Sequence, residues 1–310
     1  MRTIILLASS DNEFNQELIN YAKLNRQDVE WVLPTDERAA LAEVAACWFP
    51  DASTLTQFPN IKVLLALSAG VDQLGSSLLR SGLPVCRIVD EGQKQGMFEY
   101  VLWGVLNAHR HFDRAQKNQK TCHWKHYPQK TAADIHVSVL GLGVLGKHVA
   151  QSLAQIGYSV SGWSRSPKNI ENVTCTSGEE AFSKMLSTTD ILVNLLPLNS
   201  ATSNILNKTV FDTLPPNAYL INCGRGGHIN EIDLIDSIHQ SHLRGALLDV
   251  FDEEPLDSSN PLWHTDGILI TPHMASEASI STIVKQTSDN AKRFEKNALL
   301  KNMIDEDKGY

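Results

Sequence analysis

The chain has no Cys-x-x-Cys pair, no long apolar run and no surplus of basic charge, and each absence removes a class of protein. Its five cysteines, Cys47, Cys86, Cys122, Cys175 and Cys223, are scattered and odd in number. That argues against a disulfide framework and fits reduced thiols in a cytoplasmic protein. Lys and Arg number 27 against 35 acidic residues, a formal charge of -8. Such a balance offers no footprint for nucleic-acid phosphates or anionic lipid. The opening apolar run, Thr3 to Ala8, is far too short to span a membrane, and Asp11 and Glu13 stand where a secretory peptide would be cleaved. It reads as a first buried strand. Internal repeats, low-complexity tracts and heptads are also missing. The cluster His109, His111, Cys122, His123 and His126 is divided between a helix end and a polar segment with Trp124 and Tyr127. A solvated, aromatic-anchored segment is expected there rather than a metal site.

What is present describes a globular α/β chain. At 310 residues, 42% hydrophobic and 20% charged, it has length for two domains, each with its own core. Apolar strand-like runs alternate with amphipathic segments, the pattern of parallel sheets covered by helices. Strands are expected at Thr3 to Ala8, Val29 to Leu33, Ala45 to Phe49, Val63 to Leu67 and Val85 to Val89. Helical pieces fall at Asn12 to Leu24, with Asp11 as N-cap, and at Asp36 to Val44. A long helix from about Gln93 to His111 leaves this region. A second series runs through strands at Ile135 to Leu140, Tyr158 to Trp163, Ile191 to Leu196, Tyr219 to Asn222, Ala246 to Val250 and Ile268 to Ile270. A final helix is expected from about Ser279 to Leu300.

Between the first strand of that second series and a helix from Val144 to Ile156 stands Gly141-Leu142-Gly143-Val144-Leu145-Gly146. In a Gly-x-Gly-x-x-Gly turn the first glycine permits the tight bend and the second admits a pyrophosphate to the backbone. The third lets helix and strand pack closely, and the helix N-terminus supplies amide donors. The position between strand and helix makes this a dinucleotide turn. After the next strand, where an NAD site usually places an acid for the ribose hydroxyls, the chain reads Trp163-Ser164-Arg165-Ser166-Pro167-Lys168. Arginine and serine suit a ribose 2′-phosphate, which favours NADPH. The plainer alternative is that Arg165 and Lys168 solubilise a surface turn.

Three polar residues follow in order: Arg225 in Asn-Cys-Gly-Arg-Gly, Glu254 in Asp-Val-Phe-Asp-Glu-Glu-Pro-Leu, and His273 in Thr-Pro-His. Each alone could merely satisfy a strand end. Together they suit reduction of a small 2-oxo acid. The guanidinium grips a carboxylate and polarises the neighbouring carbonyl, and the imidazole delivers a proton. Glu254 would orient that imidazole and favour its charged form. Asp249, at a strand end, either positions a nicotinamide amide or caps a turn. Cys223 has no catalytic partner nearby and reads as packing.

The stretches Gly141 to Gly146, Asn222 to Gly226, Leu248 to Leu256 and Thr271 to His273 resemble the D-isomer-specific 2-hydroxyacid dehydrogenase family. Trp163 to Ser166, Trp48, Ala69-Gly70-Val71-Asp72 and the closing Gly309-Tyr310 look like its glyoxylate/hydroxypyruvate reductase A branch. The resemblance implies two doubly wound parallel-sheet domains, one Rossmann-like and one flavodoxin-like, with an active cleft between them. The substrate domain would be residues 1–99 completed by 285–310, and the NADP-binding domain residues 100–284. It further implies a homodimer that reduces glyoxylate to glycolate and hydroxypyruvate to D-glycerate with NADPH. By the family's pattern Arg225 binds substrate, Glu254 partners the histidine and His273 is the acid/base. Cofactor contacts fall on Gly141, Gly143, Val144, Leu145, Gly146, Ser164, Arg165, Ser166, Leu196, Pro197, Cys223, Gly224 and Asp249. Ala69 and Gly70 would offer backbone donors to the substrate carboxylate, with Trp48 shaping a small pocket. The neighbouring readings are an NAD-dependent D-lactate or phosphoglycerate dehydrogenase, and a dinucleotide-sensing protein like the C-terminal-binding corepressors. The absent ribose acid argues against the first, as does the lack of length after Tyr310 for a regulatory domain.

Overall fold

The computed structural model describes residues 2–304, so the Gly309-Tyr310 pair lies outside the described residues. The chain forms two compact units, Met1–Gln93 with Glu277–Tyr310, and Lys94–Ser276. The sequence reading set these passages at 99/100 and 284/285. The first of them falls inside a continuous helix, where no change of residue pattern marks it.

The first unit contains β1 (Thr3–Ser9), α1 (Asn12–Asn25), β2 (Val29–Val32), β3 (Val44–Trp48), α2 (Thr54–Gln57), β4 (Val63–Ala66), α3 (Gly75–Leu79) and β5 (Val85–Cys86). Helix α4 (Glu91–His109) then carries the chain into the second unit. There follow α5 (Phe112–Lys120), β6 (His136–Leu140), α6 (Val144–Gln155), β7 (Ser159–Trp163), β8 (Thr174–Thr176), α7 (Glu179–Leu186), β9 (Ile191–Asn194), α8 (Lys208–Thr213), β10 (Tyr219–Asn222), α9 (Glu231–His239), β11 (Gly245–Leu248) and β12 (Ile268–Ile270). Helix α10 (Ile280–Glu295) belongs to the first unit again.

Both sheets are parallel throughout. The first has the order β2-β1-β3-β4-β5, the flavodoxin-like arrangement, and the second β12-β11-β10-β9-β6-β7-β8, the Rossmann arrangement with an added strand. The two-residue period of each strand explains their placement. In the first unit Ile5, Leu7, Val44 and Ala46 face one core with Leu18 and Ile19 of α1 and Ile283 and Val284 of α10. Their neighbours Leu6, Ala8, Ala45 and Cys47 face the opposite core with Leu74 and Leu78. In the second unit Val137, Val139 and Val193 meet Val101 and Val105 of α4 and Val149 of α6. Leu140, Leu192 and Leu220 meet Phe211 and Leu234 on the other face. Burial on both faces is why the strands read as continuous apolar runs.

Several expected boundaries need correction. Asp36 to Val44 is not one helix: Asp36 caps a short 3-10 turn, Glu37–Leu41, and Val44 already pairs with Ile5 and Val63 in β3. The helix expected to reach His111 ends at His109. His111 is left-handed, at φ 58°, and starts α5, which buries no residue. The expected strand Val85 to Val89 stops at Cys86, because the Ile88 amide bonds Ser68 O at 2.9 Å, beyond the end of β4, instead of continuing the ladder. The last helix ends at Glu295 rather than Leu300, since Asn297 turns left-handed at φ 50° and the Ala298 amide closes on Arg293 O. Among the described residues no helix is long and apolar enough to cross a membrane.

Candidate active site

In the second unit every expected cofactor or catalytic group lies at or just beyond the carboxyl edge of the sheet, where parallel α/β sheets bind ligands. The glycine turn joins β6 to α6. Gly141 has φ 91°, and a Cβ built on it would lie 2.7 Å from Leu195 O. A Cβ on Gly146 would lie 1.8 Å from Gly141 O, so strand and helix meet at a distance only glycine allows. Gly143 differs from both. It is the exposed N-cap of α6, offers no side-chain cap, and has nothing within 4 Å of the position a Cβ would take. The first-turn amides around Val144 and Leu145 lack intrahelical acceptors. This uncapped helix end beside open space fits a dinucleotide pyrophosphate.

Past β7, Ser164 is buried and its hydroxyl donates to Ser166 O at 2.8 Å, which shapes the turn. Arg165 and Ser166 are exposed, and Trp163 donates its indole N–H to Gly178 O at 3.0 Å. No carboxylate occurs between Trp163 and Lys168. Past β9, Leu196 is buried and Pro197 partly so, with the Leu196 amide 3.3 Å from Asn194 Oδ1.

The turn bearing Arg225 is held by a buried polar network that sequence reasoning missed. Asn194, Asn222 and His228 are all fully buried. Asn194 Nδ2 donates to Asn222 Oδ1 at 2.8 Å and lies 2.9 Å from His228 Nδ1. His228 Nδ1 also receives the Arg225 amide at 3.1 Å, and Asn222 Nδ2 donates to Arg225 O at 3.1 Å. The guanidinium itself donates through Nη1 to Gly224 O at 2.7 Å. Gly226 closes the turn against the next loop, where a Cβ would lie 1.9 Å from the Phe251 carbonyl carbon. Asparagines ending two adjacent strands were the available signal. Cys223 is buried, and burial together with the Asp249 charge pushes its thiol well above the usual range, which suits packing and not nucleophilic chemistry.

His273 and Glu254 come together. The Nδ1 of His273 lies 2.7 Å from Glu254 Oε2, and the other carboxylate oxygen receives the Phe251 amide at 2.9 Å. A carboxylate acceptor makes Nδ1 the protonated nitrogen and leaves Nε2 for chemistry. The loop around the histidine is anchored by Asp249, which is 1% exposed. Its Oδ1 receives the Thr271 hydroxyl at 2.6 Å and the Met274 amide at 2.9 Å, and its Oδ2 the Ala275 amide at 3.0 Å. Tyr100 of α4 in turn bonds Thr271 Oγ1, and burial raises its phenol so that it stays a donor. These contacts hold His273 at φ 51°, a left-handed conformation uncommon outside glycine.

In the first unit Trp48 ends β3, half-buried, with ring centroids 5.6 Å from Phe14 and 5.0 Å from Phe49. Ala69 and Gly70 follow β4 in a partly buried loop. Neither of their amides has an acceptor among the described residues. Gln73, another residue not foreseen, braces both places. It accepts from the Phe49 amide at 3.0 Å and donates to Ser68 Oγ at 3.0 Å, and Ser68 donates to Gly70 O at 2.7 Å. His109 uses both ring nitrogens, on the Tyr158 hydroxyl and Lys130 O, each at 3.0 Å. Among the described residues no group of His, Cys, Asp or Glu is placed to hold a metal ion.

A family model described as D-isomer specific 2-hydroxyacid dehydrogenase, NAD binding domain, matches residues 102–275. The chain belongs to the D-isomer-specific 2-hydroxyacid dehydrogenase family. Among relatives of this dehydrogenase, the glyoxylate/hydroxypyruvate reductase A of Photorhabdus laumondii is 38% identical over 275 residues, 87% of this chain and 88% of that protein. A family member from Klebsiella pneumoniae 342 superposes with TM-score 0.94 at 44% identity, covering 98% of this dehydrogenase and 97% of that chain. The NADPH-dependent glyoxylate/hydroxypyruvate reductase of Sinorhizobium meliloti, solved with NADP and sulfate, gives TM-score 0.91 at 29% identity with full coverage of both chains.

Proposed function

We propose that this protein is an NADPH-dependent reductase of small 2-oxo acids, converting glyoxylate to glycolate and hydroxypyruvate to D-glycerate. The observation that carries the reading is the His273–Glu254 hydrogen bond, 2.7 Å long, on the same sheet edge as the Arg225 turn. When bound, the reduced nicotinamide supplies the hydride that becomes the new C–H bond at C2. His273 Nε2 delivers the proton that the former carbonyl oxygen takes up, so one hydride and one proton complete the 2-hydroxy acid. Glu254 keeps the ring in one tautomer and supports the charged imidazole before transfer. Arg225 offers its guanidinium to the polarised carbonyl and the adjoining carboxylate.

The Ala69 and Gly70 amides are assigned to a substrate carboxylate, and Trp48 to limiting the side chain to something small. Gly141 to Gly146 seat the pyrophosphate, and Ser164, Arg165 and Ser166 the ribose 2′-phosphate. Leu196, Pro197, Cys223 and Gly224 form the wall behind the nicotinamide, and Asp249 acts through the histidine loop. The protein works in the cytoplasm as a homodimer. A second copy would cover Trp103, Phe112 and Trp124, which are 44%, 49% and 100% exposed along α4, α5 and the segment after it. Sedimentation as a monomer at micromolar concentration would remove that partner.

Steady-state reduction of glyoxylate, hydroxypyruvate, pyruvate and phenylpyruvate with NADPH and with NADH tests the reading. The two small substrates with NADPH are expected to lead. A preference for NADH or for phenylpyruvate would contradict it.

A further inference from the structure

Arg87 is the residue directly after β5, and its backbone is pinned on both sides. Its amide donates to Asn302 O at 3.0 Å, and the next amide, Ile88, donates to Ser68 O at 2.9 Å. From that fixed point the side chain reaches the loop after the adjacent strand β4, where Nη1 donates to the Ala69 carbonyl at 3.4 Å. The guanidinium is part-buried, and no carboxylate among the described residues pairs with it. Three other arginines hold carboxylates, while Arg114 and Arg293 bond the neutral oxygens of Asn217 and Leu299; of these unpaired arginines only Arg87 has its guanidinium pulled down by burial. Arg26 holds Asp28 and Asp289, Arg38 holds Asp36 and Glu30, and Arg244 grips Asp113 through two bonds. Burial pulls the Arg87 guanidinium below its ordinary range, though at neutral pH it keeps its charge. A desolvated cation without a counter-ion costs stability unless the anion arrives with a ligand.

The carbonyl that Arg87 touches belongs to the same peptide group as the Gly70 N–H, and that amide has no acceptor among the described residues. A cationic donor on one end of a peptide strengthens the donor at the other end, because hydrogen bonds in series polarise one another. We propose that Arg87 is the charge-supplying positioning residue of the carboxylate subsite. Donating to Ala69 O, it polarises the Ala69–Gly70 peptide and gives this part of the loop, ahead of Asp72, the positive potential that selects carboxylate-bearing carbonyl substrates. This rests on the assignment of Ala69 and Gly70 to the substrate carboxylate. Arg87 acts through the peptide and does not touch the reacting atoms. The interaction strengthens ground state and transition state alike, so its loss appears in KM and not in kcat.

The test is steady-state glyoxylate reduction with NADPH by the full-length wild type and by Arg87→Met, Arg87→Gln and Arg87→Lys, at low and at moderate salt. Arg87→Met is expected to raise KM for glyoxylate about tenfold while kcat stays within about twofold and KM for NADPH is unmoved. In wild type that KM rises with ionic strength as the charge is screened, and in Arg87→Met the dependence flattens. Arg87→Gln retains an N–H for the Ala69 carbonyl without the charge and is expected to share the KM defect, which keeps the test valid should the methionine variant fail to fold. Arg87→Lys recovers most of the affinity. An unchanged KM in the Gln or Met variant overturns the proposal, and so does a KM defect that lysine does not relieve or that keeps the wild-type salt dependence. A wild type that reduces no 2-oxo acid fails the functional reading itself. Turnover that ignores Arg87 fails only this inference.

Discussion

In each unit the first strand of the sheet runs directly into a helix, β1 into α1 and β6 into α6, yet the two helix N-termini are finished in opposite ways. At α1 the cap is Asp11, whose carboxylate accepts the Phe14 amide at 3.0 Å. The helix end is thereby satisfied by its own chain, and its partial positive charge is partly neutralised. At α6 the cap is Gly143, with no side chain and open space where one would begin. Its first-turn amides are left to water or to an anion. The same strand-turn-helix geometry is therefore closed to phosphate in one unit and open to it in the other. One residue type makes the difference.

That comparison can be broken by exchanging the finish. Gly143→Asp gives α6 the cap that α1 has. Gly143 is not in the left-handed region and its Cβ would meet nothing, so the fold should hold and melt at the same temperature or slightly higher. The carboxylate would occupy the amides and repel the pyrophosphate, and we expect the Kd for NADPH to rise about a hundredfold, since like charges in contact cost several kcal/mol. Isothermal titration measures it, and unchanged affinity would mean that the α6 N-terminus does not hold the phosphates. The smaller, opposite effect belongs to Asp11→Ala. Loss of the α1 cap should cost about 1 kcal/mol of stability in denaturant unfolding, with the affinity for NADPH unaltered. A weakened cofactor affinity there would show that the two ends are not independent.

The same contrast explains what could be read from the residues alone. Asp11 and Gly141 to Gly146 were legible because a cap or a close approach demands particular residue types at particular positions. Arg225, Glu254 and His273 were legible as an ordered set. The partners that hold them were not. Asn222 and His228 stand three residues either side of Arg225, but Asn194 and Tyr100 reach that network and the histidine loop from elements distant in sequence, and the asparagines ending two adjacent strands were the one local sign of it. Boundaries were lost where one residue overrode a periodic pattern. Left-handed His111 separates α4 from α5, and left-handed Asn297 follows the end of α10. The edge strand β8, three residues with only one neighbouring strand, is too short to show an alternation. Arg87 stood out only once its missing counter-ion could be compared with the paired arginines.

The central claim is that a nicotinamide hydride reaches C2 of a small 2-oxo acid with the help of His273. Single-turnover reaction of glyoxylate with NADPH deuterated at the transferring C4 position measures that step directly, by mass spectrometry of the product. The account predicts glycolate carrying one deuterium at C2 from the wild type, and from His273→Asn a rate lower by about a hundredfold or more with the cofactor affinity preserved. Tight NADPH binding by the wild type with no deuterated glycolate, or transfer at an undiminished rate in His273→Asn, would contradict it.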